Sequence, residues 1–300
     1  MVDSAAHNDI EVFDKRCVRR NRARAANNFG EHDFLFRWAV EQISDRLMDV
    51  NRRFDRALQI GSRAVISDHP KIENLCVMDI TSTPVVGHSP YIQGSPEFLP
   101  VGGEQLDLIV SILDLHSVND LPGALIQIRR ALKPDGLFIG CLPGGETLYE
   151  LRDVLTKTEL DMFGGISPRV FPFADKPQMG DLLQRAGFAL PVVDSEIVRV
   201  DYSSAFKLFS DLRGMGEGNA ITARDKRYMG KDFFVEAARR YMEEYGDADG
   251  RITASFEIIF LIGWAPHESQ QKPLRPGSAE KSLAEALGSR EIKTGEKSTP

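Results

Sequence analysis

The chain has 300 residues, 42% hydrophobic and 27% charged, proportions ordinary for a globular protein, with a formal net charge of −7. That length buries a substantial core in one large α/β domain, or in one domain with a smaller insertion. The acidic balance argues against a dedicated nucleic-acid binder, and no apolar run approaches the roughly 20 residues that span a bilayer.

Cys17, Cys76 and Cys141 are widely spaced and suggest neither a disulfide framework nor a zinc site. The N-terminus lacks both a signal-peptide core and the Arg-rich character of a transit peptide, so a reducing cytoplasm is the expected location. Residues 1 to about 11 read as a disordered lead. Lys15 to Arg24, KRCVRRNRAR, puts six basic residues on an expected first helix. They read either as a solvated face or as a basic arm. Such an arm would meet an acidic protein or an anionic membrane surface through Arg16, Arg19, Arg20 and Arg24. Phe34, Leu35, Trp38, Ile43 and Leu47 follow at helical spacing as a second amphipathic helix.

Arg56 to Gly61 is the expected first strand. It ends in Gln59-Ile60-Gly61-Ser62-Arg63-Ala64-Val65, where a nucleotide-binding turn would need glycines to let the backbone approach a ligand. Asn74 to Ile80 is the second strand. An acid such as Asp79, about 20 residues past the turn, suits ribose hydroxyls, although many strands end in Asp merely to begin a turn. Thr81 to Pro90 holds two prolines and a glycine, which argues against a helix there.

Leu106 to Leu115 is an apolar run with the length of a strand buried on both faces. A helix follows from about Pro122 to Leu132, capped by Asp120. Lys133-Pro134-Asp135-Gly136 stops it, and Leu137 to Leu142 is the next buried strand. Strand, helix and strand this close imply a right-handed parallel crossover. Ligands then belong beyond the carboxyl ends of the strands, near Leu113 to Asn119 and Leu142 to Glu146.

Further helices are expected at Glu146 to Leu160 and Gln178 to Ala186. The last two strands are expected at Leu190 to Val200 and Phe256 to Trp264, separated by a helical insertion, Ser203 to Tyr245, that would form a lid. Asp211 to Asn219 is glycine-rich but follows a helix, so it reads as a lid hinge or a turn and not as a phosphate loop. Arg213, Glu217 and Asn219 are candidate substrate contacts there. His116, just past a strand end, suits proton transfer near neutral pH, or else bonds its neighbouring loop. His267-Glu268 has no third ligand in register, so no metal site is expected.

DLIVSILDLHSVNDLPGAL and the following ALKPDGLFIG resemble the fourth and fifth strands of class I S-adenosylmethionine (SAM)-dependent methyltransferases. FDKRCVRRNRARAA, GGETLYELR, SPRVFPFADK, DLRGMGEGNA and GWAPHESQQKPLRPGSA narrow the resemblance to one branch. It holds bacterial putative methyltransferases and the mitochondrial complex I assembly protein that hydroxylates an arginine. The resemblance implies a Rossmann-like, mostly parallel sheet. Residues 1–50 form a basic arm and helix, 51–200 the α/β core, 201–250 the insertion, 251–275 the last strand and its signature, and 276–300 a polar tail.

It also implies a SAM site at Gly61, Asp79, Ile80, Ser95, Ser111, Leu113 and His116, with His116 the one candidate for catalysis. That site departs from the family's D-x-G-x-G-x-G pattern. Gln59 replaces the acid, Arg63 and Val65 replace small residues, and Ser95 stands where an acid usually meets adenine. Weak or absent SAM binding is therefore expected. The function implied is that of a methyltransferase-family protein acting on or assembling a protein partner, a respiratory complex I subunit. The alternatives are a non-catalytic binding factor, an arginine-hydroxylase-like enzyme and, third, a methyltransferase making a biotin precursor on an acyl carrier.

Overall fold

The computed structural model describes residues 11–87, 90–271 and 287–289, and the chain divides at Pro266 into a large unit and a short segment from His267. Most of the expected polar tail, 276–300, and nearly all of the expected N-terminal lead lie outside the described residues. The large unit is built on seven strands: β1 (Phe54–Ile60), β2 (Ile72–Asp79), β3 (Tyr91–Gln93), β4 (Leu106–Ile112), β5 (Leu132–Pro143), β6 (Ala189–Tyr202) and β7 (Ile252–Trp264). They form one sheet in the order 3-2-1-4-5-7-6. All neighbours pair in parallel except β7, which runs antiparallel to both β5 and β6.

Alternation along the strands feeds a core on each face. Leu108, Val110 and Ile112 of β4 join one apolar cluster, and Ile109 joins the other. The first cluster takes α2 (Phe34–Asp49), α4 (Tyr149–Phe163) and α7 (Gly230–Tyr245), whose residues Ile43, Val154 and Ala237 are wholly buried. The second takes α3 (Leu121–Ala131) and α5 (Lys176–Arg185), through Leu125, Ile128, Met179 and Leu183. Helices on both faces explain why the parallel strands are continuous apolar runs. Asp120 caps α3 by accepting from the Gly123 N–H at 2.8 Å.

Several boundaries move. β4 stops at Ile112 instead of Leu115, because Leu113 turns into the left-handed region at φ 48°. The Lys133–Gly136 turn is absorbed into β5 as an irregularity: Leu106 pairs with Leu132, and Leu108 with Leu137. β6 and β7 are longer than the apolar runs suggested, since they form a two-stranded antiparallel arm from Ala189 and Trp264 to Tyr202 and Ile252. Among the described residues no helix lies between β2 and β3. The expected helical insertion contains two helices. Leu208 of α6 (Ala205–Gly214) and Phe233 of α7 join the first core cluster, and the stretch 215–221 between them reaches the strand ends.

Candidate functional site

The order of the sheet reverses between β1 and β4, so the carboxyl ends of β1, β2 and β4 open a crevice where open α/β sheets place ligands. At the end of β1, Gly61 adopts φ 95°, and its N–H donates to the Met78 carbonyl at 2.8 Å. A Cβ on Gly61 would lie 2.9 Å from Asp114 Oδ1, so only glycine fits. Gln59 fastens the turn that follows. Its Nε2 donates to the carbonyls of Gly61, at 2.9 Å, and Ala64, and its Oε1 accepts from the Ile66 N–H at 3.0 Å. The turn is thus closed by a side chain that uses both ends of its amide.

Across the crevice lies α1 (Lys15–Ala25), begun by Asp14, which accepts from the Cys17 N–H. Its Arg22 is 2% exposed, and its guanidinium sits between two strand-end carboxylates. Arg22 donates to Asp114 Oδ1 at 2.5 Å, to Asp79 Oδ1 at 3.4 Å and to Ser117 Oγ at 3.1 Å. Asp79 also accepts from Ser62 N at 2.8 Å, Ser62 Oγ at 2.9 Å and Thr81 N at 3.2 Å. With four donors on two oxygens, the Asp79 carboxylate is fully engaged.

The two acids respond oppositely. Burial pushes Asp79 upward, but Arg22 and the Ser62 N–H outweigh it and hold the carboxyl below its ordinary value. Burial and the neighbouring Asp79 charge raise Asp114 in spite of Arg22. One guanidinium therefore keeps Asp79 charged and leaves Asp114 the readier of the two to take a proton.

Arg63 does not enter the crevice. It lies beneath the turn, stacked 4.7 Å from the Phe36 ring centre, and donates to the carbonyls of Leu113 at 2.6 Å and Met215 at 3.3 Å, and to Glu217. Glu217 Oε2 in turn stands 3.0 Å from His116 Nε2. Burial works against the Glu217 charge, but His116 and Arg63 outweigh it and hold the carboxyl well below the usual range. The other ring nitrogen of His116, Nδ1, is buried with no hydrogen-bond partner among the described residues. That ring lines a chamber of about 80 Å³ with Leu113, Leu148, Phe171, Phe173 and Phe256.

The seven expected cofactor residues therefore separate. Ile80 and Ser95 line a cleft of about 530 Å³ under α1, together with Asp114, Ser117 and Val118. Leu113 and His116 line the chamber instead. Gly61 and Asp79 line neither cavity, and are held by Gln59 and Arg22. Ser111 lines neither: it is wholly buried within β4, between Ile60 and Gly140 of the neighbouring strands. Of the candidate substrate contacts, Glu217 is the half-buried link just described, Arg213 is exposed, and Asn219 ties down the Pro168 carbonyl. His267 bonds Ser269 at 2.7 Å within its own turn, and the described residues hold no cluster of three or more metal-ligating side chains.

A family model described as a methyltransferase domain matches residues 70–140. The arginine-hydroxylase NDUFAF5, mitochondrial, of Danio rerio is 39% identical over 288 residues, 92% of this chain and 89% of that protein. A malonyl-[acyl-carrier protein] O-methyltransferase of Halorhodospira halophila is 27% identical over 279 residues, 88% of this chain and 92% of its own. Among solved structures, a putative methyltransferase of Bacillus halodurans superposes with a TM-score of 0.52, covering 76% of this chain and all of that one. At 13% identity it speaks for the fold alone.

Two outcomes follow from the buried charges. Arg22→Met removes the cation that bonds Asp79 and Asp114, leaving Arg63 at 3.8 Å from Asp114, and lowers stability by about 3–5 kcal/mol in urea denaturation, whereas exposed Arg16→Ala unfolds at the wild-type urea concentration. Glu217 has a depressed folded pKa, so its contribution is complete above the ordinary carboxylate range and fades as pH falls through that range toward the folded value. The stability gap between wild type and Glu217→Gln is accordingly wider near pH ~7 than near pH ~3.

Proposed function

Since the chain belongs to the family of the mitochondrial arginine-hydroxylase NDUFAF5, a branch with the class I SAM-dependent methyltransferase fold, we propose that it acts on a protein partner as a modification or assembly factor whose SAM site is filled from within. The observation that carries this reading is the engagement of Asp79, whose two oxygens are taken by Arg22, Ser62 and Thr81. SAM needs a backbone open at the glycine turn and an acid free for its ribose hydroxyls. Here Gln59 closes the turn and Arg22 holds the acid. Losing two or three hydrogen bonds at about 1 kcal/mol each weakens binding by roughly ten- to several-hundred-fold. The residues at the turn do not fit SAM.

The partner side of the reading rests on a groove of about 560 Å³ between α1, α6 and the loops beside them. Arg20, Arg24 and Arg213 are exposed along it. Arg24 and Arg213 make no ion pair among the described residues, and Arg20 meets only the Cys17 sulfur. Such a basic concentration, in a chain of net charge −7, suits an acidic protein surface. By family, that surface belongs to a respiratory complex I subunit. Leu151, Arg169, Leu212 and Glu217 line both groove and chamber, so a side chain of a docked partner has a short way in to His116. The unpartnered, buried Nδ1 of His116 favours an enzyme over a purely binding factor, as the group that would accept a proton there. A cytoplasmic location accompanies this reading, with Cys17, Cys76 and Cys141 as free thiols.

Calorimetric titration with SAM and with its demethylated product should give dissociation constants weaker than about 100 μM. Micromolar affinity would return a plain SAM-dependent methyltransferase to first place. The combined R20E/R24E/R213E variant should fold normally and lose a salt-sensitive partner interaction. Loss of binding to anionic vesicles, with partner binding intact, would instead assign the groove to a membrane surface.

A further inference from the structure

The charges around the cleft under α1 do not suit a cation. Four basic side chains of that helix line it, Lys15, Arg16, Arg19 and Arg22, and the acids that line it are Glu97 and Asp114. Two of the four are matched internally. Lys15 Nζ meets Glu97 Oε2 at 2.6 Å, and Arg22 is held by Asp114 and Asp79. Glu97 is in turn fixed by the N–H groups of Asn119 and Asp120, each at 3.1 Å. Arg16 and Arg19 are exposed, three residues apart on one helix, and make no hydrogen bond or ion pair among the described residues. The cleft therefore carries two positive charges with no counter-charge among the described residues. SAM brings a sulfonium, an ammonium and one carboxylate, a net positive ligand for a positive mouth.

The rest of the cleft suits a nucleoside. Its volume of about 530 Å³ lies within the range of small-ligand sites, and its lining includes residues at the carboxyl ends of β2, β3 and β4. Ile80 and Val118 contribute apolar surface, and the Gly94–Ser95 segment contributes backbone and hydroxyl groups. Ser95 Oγ already accepts from the Glu97 N–H, which leaves its hydroxyl proton to donate. We propose that this cleft binds a nucleoside phosphate, with its base toward Ile80 and Val118 and its phosphate on Arg16 and Arg19. Phosphate supplies the negative charge these arginines lack, and planar guanidinium groups bind it bidentately. The proposal rests on the reading that SAM has been displaced from this crevice, and it names what replaces it.

The test is a calorimetric titration of the full chain at low salt with adenosine, AMP, ADP, inorganic phosphate and SAM, repeated on an R16E/R19E variant. AMP or ADP should bind at least about tenfold tighter than adenosine, lose affinity as salt rises, and fail to bind the double variant. Both positions are exposed, so the variant should unfold at the wild-type urea concentration. The proposal is overturned if no nucleotide binds at about 1 mM, if AMP and adenosine bind equally, or if the double variant binds as well as wild type. Inorganic phosphate binding as tightly as AMP would also overturn it, by reducing the site to an anion site without a nucleoside. Silence from every nucleotide and from SAM would sink this proposal alone, whereas micromolar SAM would sink the reading it rests on.

Discussion

One guanidinium shared by two carboxylates decides what the crevice of this sheet can hold. Parallel strands bring their carboxyl ends together, and here two neighbours of β1 deliver acids to that edge: Asp79 from the end of β2, and Asp114 just past β4. Two buried carboxylates repel each other and each loses its water. Arg22 relieves both penalties, and in doing so it takes the acid that a nucleotide ribose would otherwise use. The same contact pins α1 to the sheet, so closure of the site and docking of the first helix are one event energetically. A ligand that wanted Asp79 would have to replace a charged hydrogen bond made by the protein itself.

The side chains at the glycine turn follow the same logic. An open turn leaves backbone groups for a ligand, and Gln59 satisfies them from within. Arg63 extends beneath the turn to Leu113, Met215 and Glu217, and thereby connects the end of β1 to the loop after α6. Glu217 passes the connection on to His116. The cofactor side and the chamber side are thus joined by a continuous set of charge-assisted bonds, Arg63–Glu217–His116, and Asp114 stands 3.8 Å from Arg63. Two of its atoms, Arg63 Nε and His116 Nδ1, are nonetheless buried without a hydrogen-bond partner among the described residues.

Strand and helix placement was legible because it is written in local periodicity. The buried strands are apolar runs, α3 carries its Asp cap and early proline, and the prolines after Asp79 argue against a helix. The departures at Gln59 and Arg63 were also visible, since each is a single position in a known pattern. What the sequence could not display is pairing over distance. Arg22 lies 57 and 92 residues from its two acids, and within KRCVRRNRAR nothing separates it from the arginines that stay in water. Only the helical phase of α1, once docked, turns Arg22 inward, Arg16 and Arg19 toward the cleft, and Arg20 and Arg24 toward the groove. Ser111 is a different case. It belongs to the right strand, but it stops short of the strand's open end, and its side chain remains inside the sheet.

The tether of α1 also sets an order for synthesis. Phe13 bridges to Ile221, the Asp14 N–H bonds the Ala220 carbonyl at 2.8 Å, and Asn21 bonds the Gly218 carbonyl at 2.9 Å. As the ribosome releases the chain from its N-terminus, the first helix emerges long before these partners do. Its acids Asp79 and Asp114 follow after 57 and 92 residues, whereas Gly218 follows only after 197. The first helix therefore completes its contacts late, against a sheet whose β1, β2, β4 and β5 precede the 218–221 stretch in the chain.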